Sequence, residues 1–191
     1  AVLAKARGDL RRIERQHVEQ VLALARGGRP QAELHLPAGW VARRYDRLLF
    51  AAASPAPVLP FNPVWVETPG IFPLPDGRRL LVTLCEQGLG EGSAAVEFDA
   101  RAVHLPLQIR TVLPGDRLHP SGMIGRKKLQ DLFVDLKLTR EQRAVQPLVL
   151  CGDKILWVVG LRRCREFLPQ GAEQPVLRLE LVDTEQLDVE K

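Results

Sequence analysis

What this chain lacks narrows its chemistry first. Its three cysteines, Cys85, Cys151 and Cys164, are odd in number and too widely spaced for a paired ligand motif. They read as small buried hydrophobes of a cytosolic protein. His17, His35, His104 and His119 are equally scattered, with no His-x-x-x-His, so no metal site is expected. Nothing resembles Gly-x-Ser-x-Gly, and Ser54, Ser93 and Ser121 carry no local signature of a nucleophile. A Walker-type Gly-x-x-x-x-Gly-Lys-Ser/Thr is also missing. The best apolar run, residues 155–161, has strand length and falls short of the roughly 18 residues that span a bilayer. Aromatics make up 5% and Tyr45 is the only tyrosine, a poor supply for stacking successive bases of a single strand. The first residues are short, mixed and basic, unlike a secretory signal. Because no initiator methionine precedes Ala1, we expect a processed or truncated product, soluble and cytoplasmic.

What the chain does have is hydrophobic content and uneven charge. At 191 residues and 46% hydrophobic it can build one large domain or two small ones. The net charge of +4 hides four blocks: +5 over 1–47, −3 over 48–109, +7 over 110–165 and −5 over 166–191. A basic block beside an acidic tail suits a polyanion binder, because affinity for polyphosphate follows local charge density. Charge alone leaves a solvated surface equally open.

The periodicities predict an α+β fold: an N-terminal helix, a β-rich middle region, and a C-terminal α+β domain with antiparallel strands around a helical pair. Asp9 is the expected N-cap of a helix reaching about Ala25, ended by Gly27, Gly28 and Pro30. Leu10, Ile13, His17, Val21 and Leu24 form its apolar stripe, where His17 is more readily a hydrogen-bonded core histidine than a ligand. Arg11, Arg12 and Arg15 lie off the stripe, solvated or available to phosphate. Period-two alternation follows at 33–36, 40–45 and 48–50, then a four-proline loop over 51–63. Shorter strands are expected at 64–67, 79–84 and 94–98, and clearer ones at 108–112, 148–151, 154–159 and 175–182. Leu129, Leu132, Phe133 and Leu136 predict a helix over about 127–137. Thr139 with Gln142 predicts a capping box opening a second, short helix. We place the division between 1–106, helix plus β-rich region, and 107–191, the C-terminal domain.

The segment from Ser121 to Lys128 has the most chemical content. Gly122 and Gly125 permit positive φ, and a helix opening at about Lys127 would present unpaired N–H groups and a positive dipole end. Arg126, Lys127 and Lys128 concentrate charge where phosphate binds best. Three cations in a first helical turn oppose the dipole, a cost of a few tenths of a kcal/mol each that an anion relieves. Asp116 leaves two readings open. It holds Arg110 or Arg117 in a structural ion pair, or those arginines face outward as bidentate phosphate clamps.

Arg110-Thr-Val-Leu-Pro-Gly-Asp-Arg117, His119-Pro120-x-Gly122, and Gly125-Arg-Lys-Lys-Leu-Gln-Asp-Leu-Phe133 together resemble the C-terminal domain of tRNA(Ile)-lysidine synthetases. The likeness continues through 134–143, 147–150 and 155–160, and reaches the upstream helix and 34–40. The resemblance implies an ATP-dependent ligase that joins lysine to the wobble cytidine of the minor isoleucine tRNA. It implies that catalysis, and the ATP it uses, belong to an N-terminal domain with a Ser-Gly-Gly-x-Asp-Ser loop. That motif does not occur here, so this chain is expected to hold tRNA, on its acceptor-stem side, without a catalytic residue or cofactor of its own. By matching positions, Arg110, Arg117, Arg126, Lys127, Lys128, Arg140 and Arg143 would grip the backbone. Arg162 and Arg163 join them on charge alone. Seven such contacts would give log K a slope of roughly −5 to −6 against log salt.

The expected partners are therefore tRNA and the N-terminal catalytic domain, with a second copy of the chain as a further candidate and no membrane. The rival reading is a docking or oligomerisation module without RNA contact, using the apolar stretch from Pro57 to Phe61. A hydrolase built on His119 lacks partners at any recognisable spacing.

Overall fold

The computed structural model describes residues 12–37, 39–51, 61–171 and 173–182, in two compact units dividing between Val58 and Leu59. Asp9, Leu10, Arg11, Ser54 and residues 57–60 lie outside the described residues.

In the first unit, helix α1 (Arg15–Arg26) has Glu14 as its N-cap, and the Glu14 N–H donates to Nδ1 of His17 at 3.0 Å. His17 thus satisfies a donor at the helix start instead of sitting silent in the core. Val21 is buried, with Ile13 and Leu24 against it, as the stripe requires. Strands β1 (Gln31–Leu36), β2 (Gly39–Arg44) and β3 (Arg47–Ala51) form an antiparallel sheet in that order. Arg44 is buried on β2, where Glu33 pairs with it at 2.6 Å and the Trp40 ring lies 5.6 Å away. Of the three N-terminal arginines, Arg12 is exposed and Arg15 pairs with Glu19 at 2.8 Å.

The second unit holds most of the chain. Its first strands are β4 (Val64–Val66), β5 (Gly70–Pro73), β6 (Arg79–Cys85), β7 (Ala95–Asp99) and β8 (Leu107–Arg110). A two-residue ribbon follows, β9 (Arg117–Leu118) with β10 (Lys127–Lys128), then helices α2 (Leu129–Asp135) and α3 (Arg140–Val145). Strands β11 (Leu148–Cys151), β12 (Lys154–Val158), β13 (Arg162–Arg163) and β14 (Val176–Val182) complete it. Two antiparallel sheets result, ordered β13-β12-β11-β8-β4 and β5-β6-β14-β7. The architecture is α+β, as expected.

The expected division at 107 falls inside this unit. Strand β8 pairs with β4 on one side and β11 on the other, and β14 lies between β6 and β7. Residues on both sides of 107 therefore share ladders and one core, which includes Leu80, Phe98, Ile109, Phe133, Leu156 and Trp157. A run of short, Pro- and Gly-punctuated strands gave no sign of whose edges they would complete. Strand β5 was not foreseen, nor were β9, β10 and β13, each too short to show a period.

Buried charge is paired where it occurs. Glu97 on β7 is 5% exposed and accepts from Arg178 at 2.7 Å and from the Leu89 N–H at 2.9 Å. Hydrogen bonding to Glu180, reinforced by Glu97, holds Arg178 above its ordinary range. Among the described residues no helix is long and apolar enough to cross a membrane, and no group of His, Cys, Asp and Glu is arranged to hold a metal ion.

Candidate nucleic-acid interface

The basic segment folds around Asp116. Strand β8 ends at Arg110, and the turn Leu113–Asp116 follows, with Gly115 at φ +92° where a side chain would be strained. The Asp116 carboxylate accepts from Arg110 Nη1 at 2.8 Å and Nη2 at 2.9 Å, and from the Leu113 N–H at 2.7 Å. Its backbone oxygen accepts from the Leu129 N–H at 3.0 Å, tying the turn to the start of α2. Of the two readings of Asp116, the structure takes the ion pair, with Arg110. The Arg110 side chain is only 13% exposed, so its fork supports the turn and does not face outward as a phosphate clamp.

The helix start also differs from expectation. Lys127 and Lys128 form β10 and pair with Leu118 and Arg117, so α2 begins two residues later, with Asp131 in its first turn. The dipole conflict read from three cations in one turn therefore does not arise, and a seven-residue helix offers no separate anion site. The tip before β10 does turn on glycines, with Gly122 at φ +77° and Gly125 at φ +82°. Between them Ile124 stands fully in solvent.

What the ribbon does instead is present charge. Lys128 lies directly across from Arg117, and both are exposed, as is Arg126 beside them. None of the three has an ion pair or side-chain hydrogen bond among the described residues. Like charges directly opposite on adjacent strands are destabilising by a few tenths of a kcal/mol or more. Lys127 is different, because it pairs with Asp135.

The loop carrying the tip is fastened at its base. The Ser121 N–H donates to Arg163 O at 3.0 Å, the Arg165 N–H to His119 O at 2.8 Å, and Pro120 bridges to Cys164. His119 Nδ1 lies 2.9 Å from Glu166 Oε1. Burial pushes the Cys164 thiol up to about 12, so this cysteine stays protonated and inert.

The remaining expected residues divide likewise. Arg140 is exposed at the first turn of α3, whose N-cap Thr139 accepts from the Gln142 N–H while the Gln142 side chain accepts from the Thr139 N–H at 2.8 Å. Arg143 is half-buried and its Nε donates to Leu138 O at 2.9 Å. On β13, Arg163 pairs with Glu91 at 2.5 Å, whereas Arg162 is exposed with no partner among the described residues. Both border a cavity of about 390 Å³ that Glu91 and Trp157 also line.

Sequence reasoning missed a second cavity, of about 400 Å³, between the 112–116 turn and the helix pair. Leu129, Phe133 and Ala144 line it, with Lys128, Arg140 and Arg143 around them. No sequence pattern announces it, since the 53% exposure of Leu113 at its edge is visible only in the fold.

Known proteins share this sequence and fold. A family model described as the TilS substrate C-terminal domain matches residues 107–181, and one described as the TilS substrate binding domain matches residues 2–49. The tRNA(Ile)-lysidine synthase of Geobacter sulfurreducens is 39% identical over 165 residues, covering 84% of this chain and 35% of the relative. That of Geobacillus kaustophilus is 35% identical over 153 residues, covering 77% of this chain and 32% of the relative. The chain thus spans about a third of the length of these relatives. The crystal structure of a TilS C-terminal domain superposes with a TM-score of 0.57 at 32% identity, covering 64% of this chain and 98% of that one. With both substrate-domain models matched in order and nearly all of a solved C-terminal domain aligned, this chain belongs to the tRNA(Ile)-lysidine synthase family and carries its C-terminal substrate domain.

Proposed function

We propose that this chain grips and positions tRNA for lysidine formation at the wobble cytidine of the minor isoleucine tRNA, and that it is not itself catalytic. On this reading the ATP-dependent ligase chemistry belongs to an N-terminal domain of the parent enzyme, and the setting is the cytoplasm. The observation that carries the proposal is the ribbon, where Arg117 and Lys128 face each other with Arg126 alongside and, among the described residues, no acid paired with them. A fold that tolerates this repulsion gains from a polyanion laid across it. Duplex RNA suits the site, since it is held through phosphates and shape instead of through its narrow major groove.

The exposed set is Arg117, Arg126, Lys128, Arg140 and Arg162, smaller than the set expected from sequence. Five phosphate contacts predict a log K against log salt slope of about −3.5 to −4.5. Binding to minor isoleucine and elongator methionine tRNAs, measured across a salt series, tests this. Arg117→Glu with Lys128→Glu should flatten the slope by about 2 and weaken both complexes without unfolding the chain. Salt-insensitive binding, or none, would sink the grip and favour a docking module.

A further inference from the structure

We propose that the Met123–Ile124 tip of the β9–β10 ribbon seats on the open end of an RNA duplex. Its two apolar side chains would cover the outer face of the last base pair, and Arg117, Arg126 and Lys128 would hold the phosphates around that end. This inference rests on the RNA-gripping reading and adds an end-on contact to it.

A lone exposed isoleucine on a flat surface needs no explanation, but this one stands at a projecting turn. Ile124 is 103% exposed, so the fold buries none of it, and Met123 beside it is 41% exposed. Gly122 and Gly125 flank the pair, and an added Cβ at either would meet nothing within 4 Å among the described residues. The tip therefore stands clear of the body around it. Its root is fastened: buried Pro120 bridges to Cys164, the Ser121 N–H donates to Arg163 O, and the Met123 N–H donates to Pro120 O at 3.3 Å. Two apolar side chains are thus presented on a fixed base before any partner arrives, which lowers the ordering cost of binding.

Charge narrows the choice of partner. Arg126 follows the tip in sequence, Arg117 and Lys128 face each other where the ribbon begins, and Arg165 lies exposed beside the root, its N–H donating to His119 O. None of these four side chains has an ion pair among the described residues. A polyanion with an apolar spot answers both features. Along a duplex, a loop held at the backbone meets phosphates, 2′-hydroxyls and base edges, all of them polar. Isoleucine and methionine do serve as wedges between base steps, but an interior step must first be unstacked. The end of a duplex offers a flat apolar face without that cost, with phosphates of both strands at its margin. A lipid surface also accepts apolar groups beside cations, yet it calls for a broader apolar face than two side chains provide.

The test compares two RNAs: a short blunt-ended duplex, and the same duplex closed at both ends by short loops. Both are titrated with the full chain by fluorescence anisotropy. The loops add phosphates, so charge alone favours the closed RNA. The wild type should instead prefer the open duplex by about fivefold, the gain from covering about half of an isoleucine side chain. Ile124→Ser, at a position the fold does not bury, should bring the two RNAs to within about twofold. Its melting temperature and its affinity for the closed RNA should not change. Ile124→Trp, with a larger face to stack, should widen the preference, which a merely structural role for the loop would not do. Equal wild-type affinity for both RNAs overturns the end-on contact and leaves the grip standing. Binding of neither RNA overturns both. A preference for the open duplex that survives Ile124→Ser places the end contact elsewhere and overturns the proposal. Equal RNA affinities together with Ile124-dependent binding to vesicles of anionic phospholipid would overturn it as well, giving the tip to a lipid surface.

Discussion

Removing the Asp116 carboxylate separates the cations that hold this domain together from those that face outward. In Asp116→Ala the Arg110 guanidinium, 13% exposed, loses both hydrogen bonds of 2.8 and 2.9 Å and stays in place as an uncompensated charge. Breaking a buried pair from one side costs about 3–5 kcal/mol, and the residual exposure of both partners lowers this to about 2–4 kcal/mol. The Leu113 N–H also loses its acceptor, though water reaches that exposed turn and the added loss is under about 1 kcal/mol. With a urea m-value near 2 kcal/mol/M, the midpoint should fall by about 1–2 M. Emission from Trp157, buried in the core of the second unit, reports that transition. Arg110→Ala should destabilise by a similar amount, and the double-mutant cycle should return a coupling of about 1–3 kcal/mol. Lys128→Ala, at an exposed position with no partner among the described residues, should stay within about 0.5 kcal/mol. The reasoning fails if Asp116→Ala shifts the midpoint no more than Lys128→Ala does. It fails equally if Arg110→Ala leaves stability intact while weakening RNA binding, since Arg110 would then be an outward clamp.

Thr139→Ala removes the cap of α3 and should cost about 1 kcal/mol, with amide exchange accelerated in residues 140–145 and little change in the sheets. Unchanged exchange there would mean that packing alone sets the helix. Cys164, pushed up to about 12 by burial, should resist alkylation at pH 8 until the protein unfolds, while Cys85 and Cys151, only half-buried, react sooner. The sign of its pH effect follows from the raised value. Above about pH 9 the unfolded chain releases the thiol proton that the folded chain keeps, so stability falls as pH rises from 9 towards 12. Urea midpoints of wild type and Cys164→Ala, measured across that range, should converge as pH rises.

Much of the fold could be read because its signals were local. The stripe of Leu129, Leu132 and Phe133 is buried as its spacing predicts, and the Thr139–Gln142 box forms as drawn. The hairpin of β11 and β12 follows from the Gly152-Asp153 turn, with a register shift between Val149 and Leu150 that no pattern announced. Sheet partners were not legible, because alternation says which face of a strand is buried and not which strand lies beside it. Strand β14 illustrates this: its alternation was plain, yet its neighbours β6 and β7 come from the region assigned to another domain. The helix start was misplaced for a related reason. A two-residue ribbon has no period, and the Lys127–Lys128 pairing with Arg117–Leu118 depends on a turn held by Asp116.

The candidate site shows the same limit in electrostatic form. Sequence counts cations, but a phosphate responds only to those that the protein has not already neutralised. Arg110, Lys127 and Arg163 each sit against a carboxylate, whereas among the described residues Arg117, Arg126, Lys128 and Arg162 have no such partner. These two sets are interleaved along the chain, Lys127 next to Lys128 and Arg162 next to Arg163, so no charge window separates them. Strand geometry accounts for the division, since adjacent residues point to opposite faces. On β10 that alternation sends Lys127 towards Asp135 on α2 and leaves Lys128 opposite Arg117. A one-residue slip of the ribbon would exchange the two lysines and move the exposed charge to the other face. The backbone bond from the Leu129 N–H to Asp116 O holds the turn against α2 at the end of β10, which opposes such a slip. Asp116 therefore matters to the basic face although it is itself an acid: it sets which cations remain available.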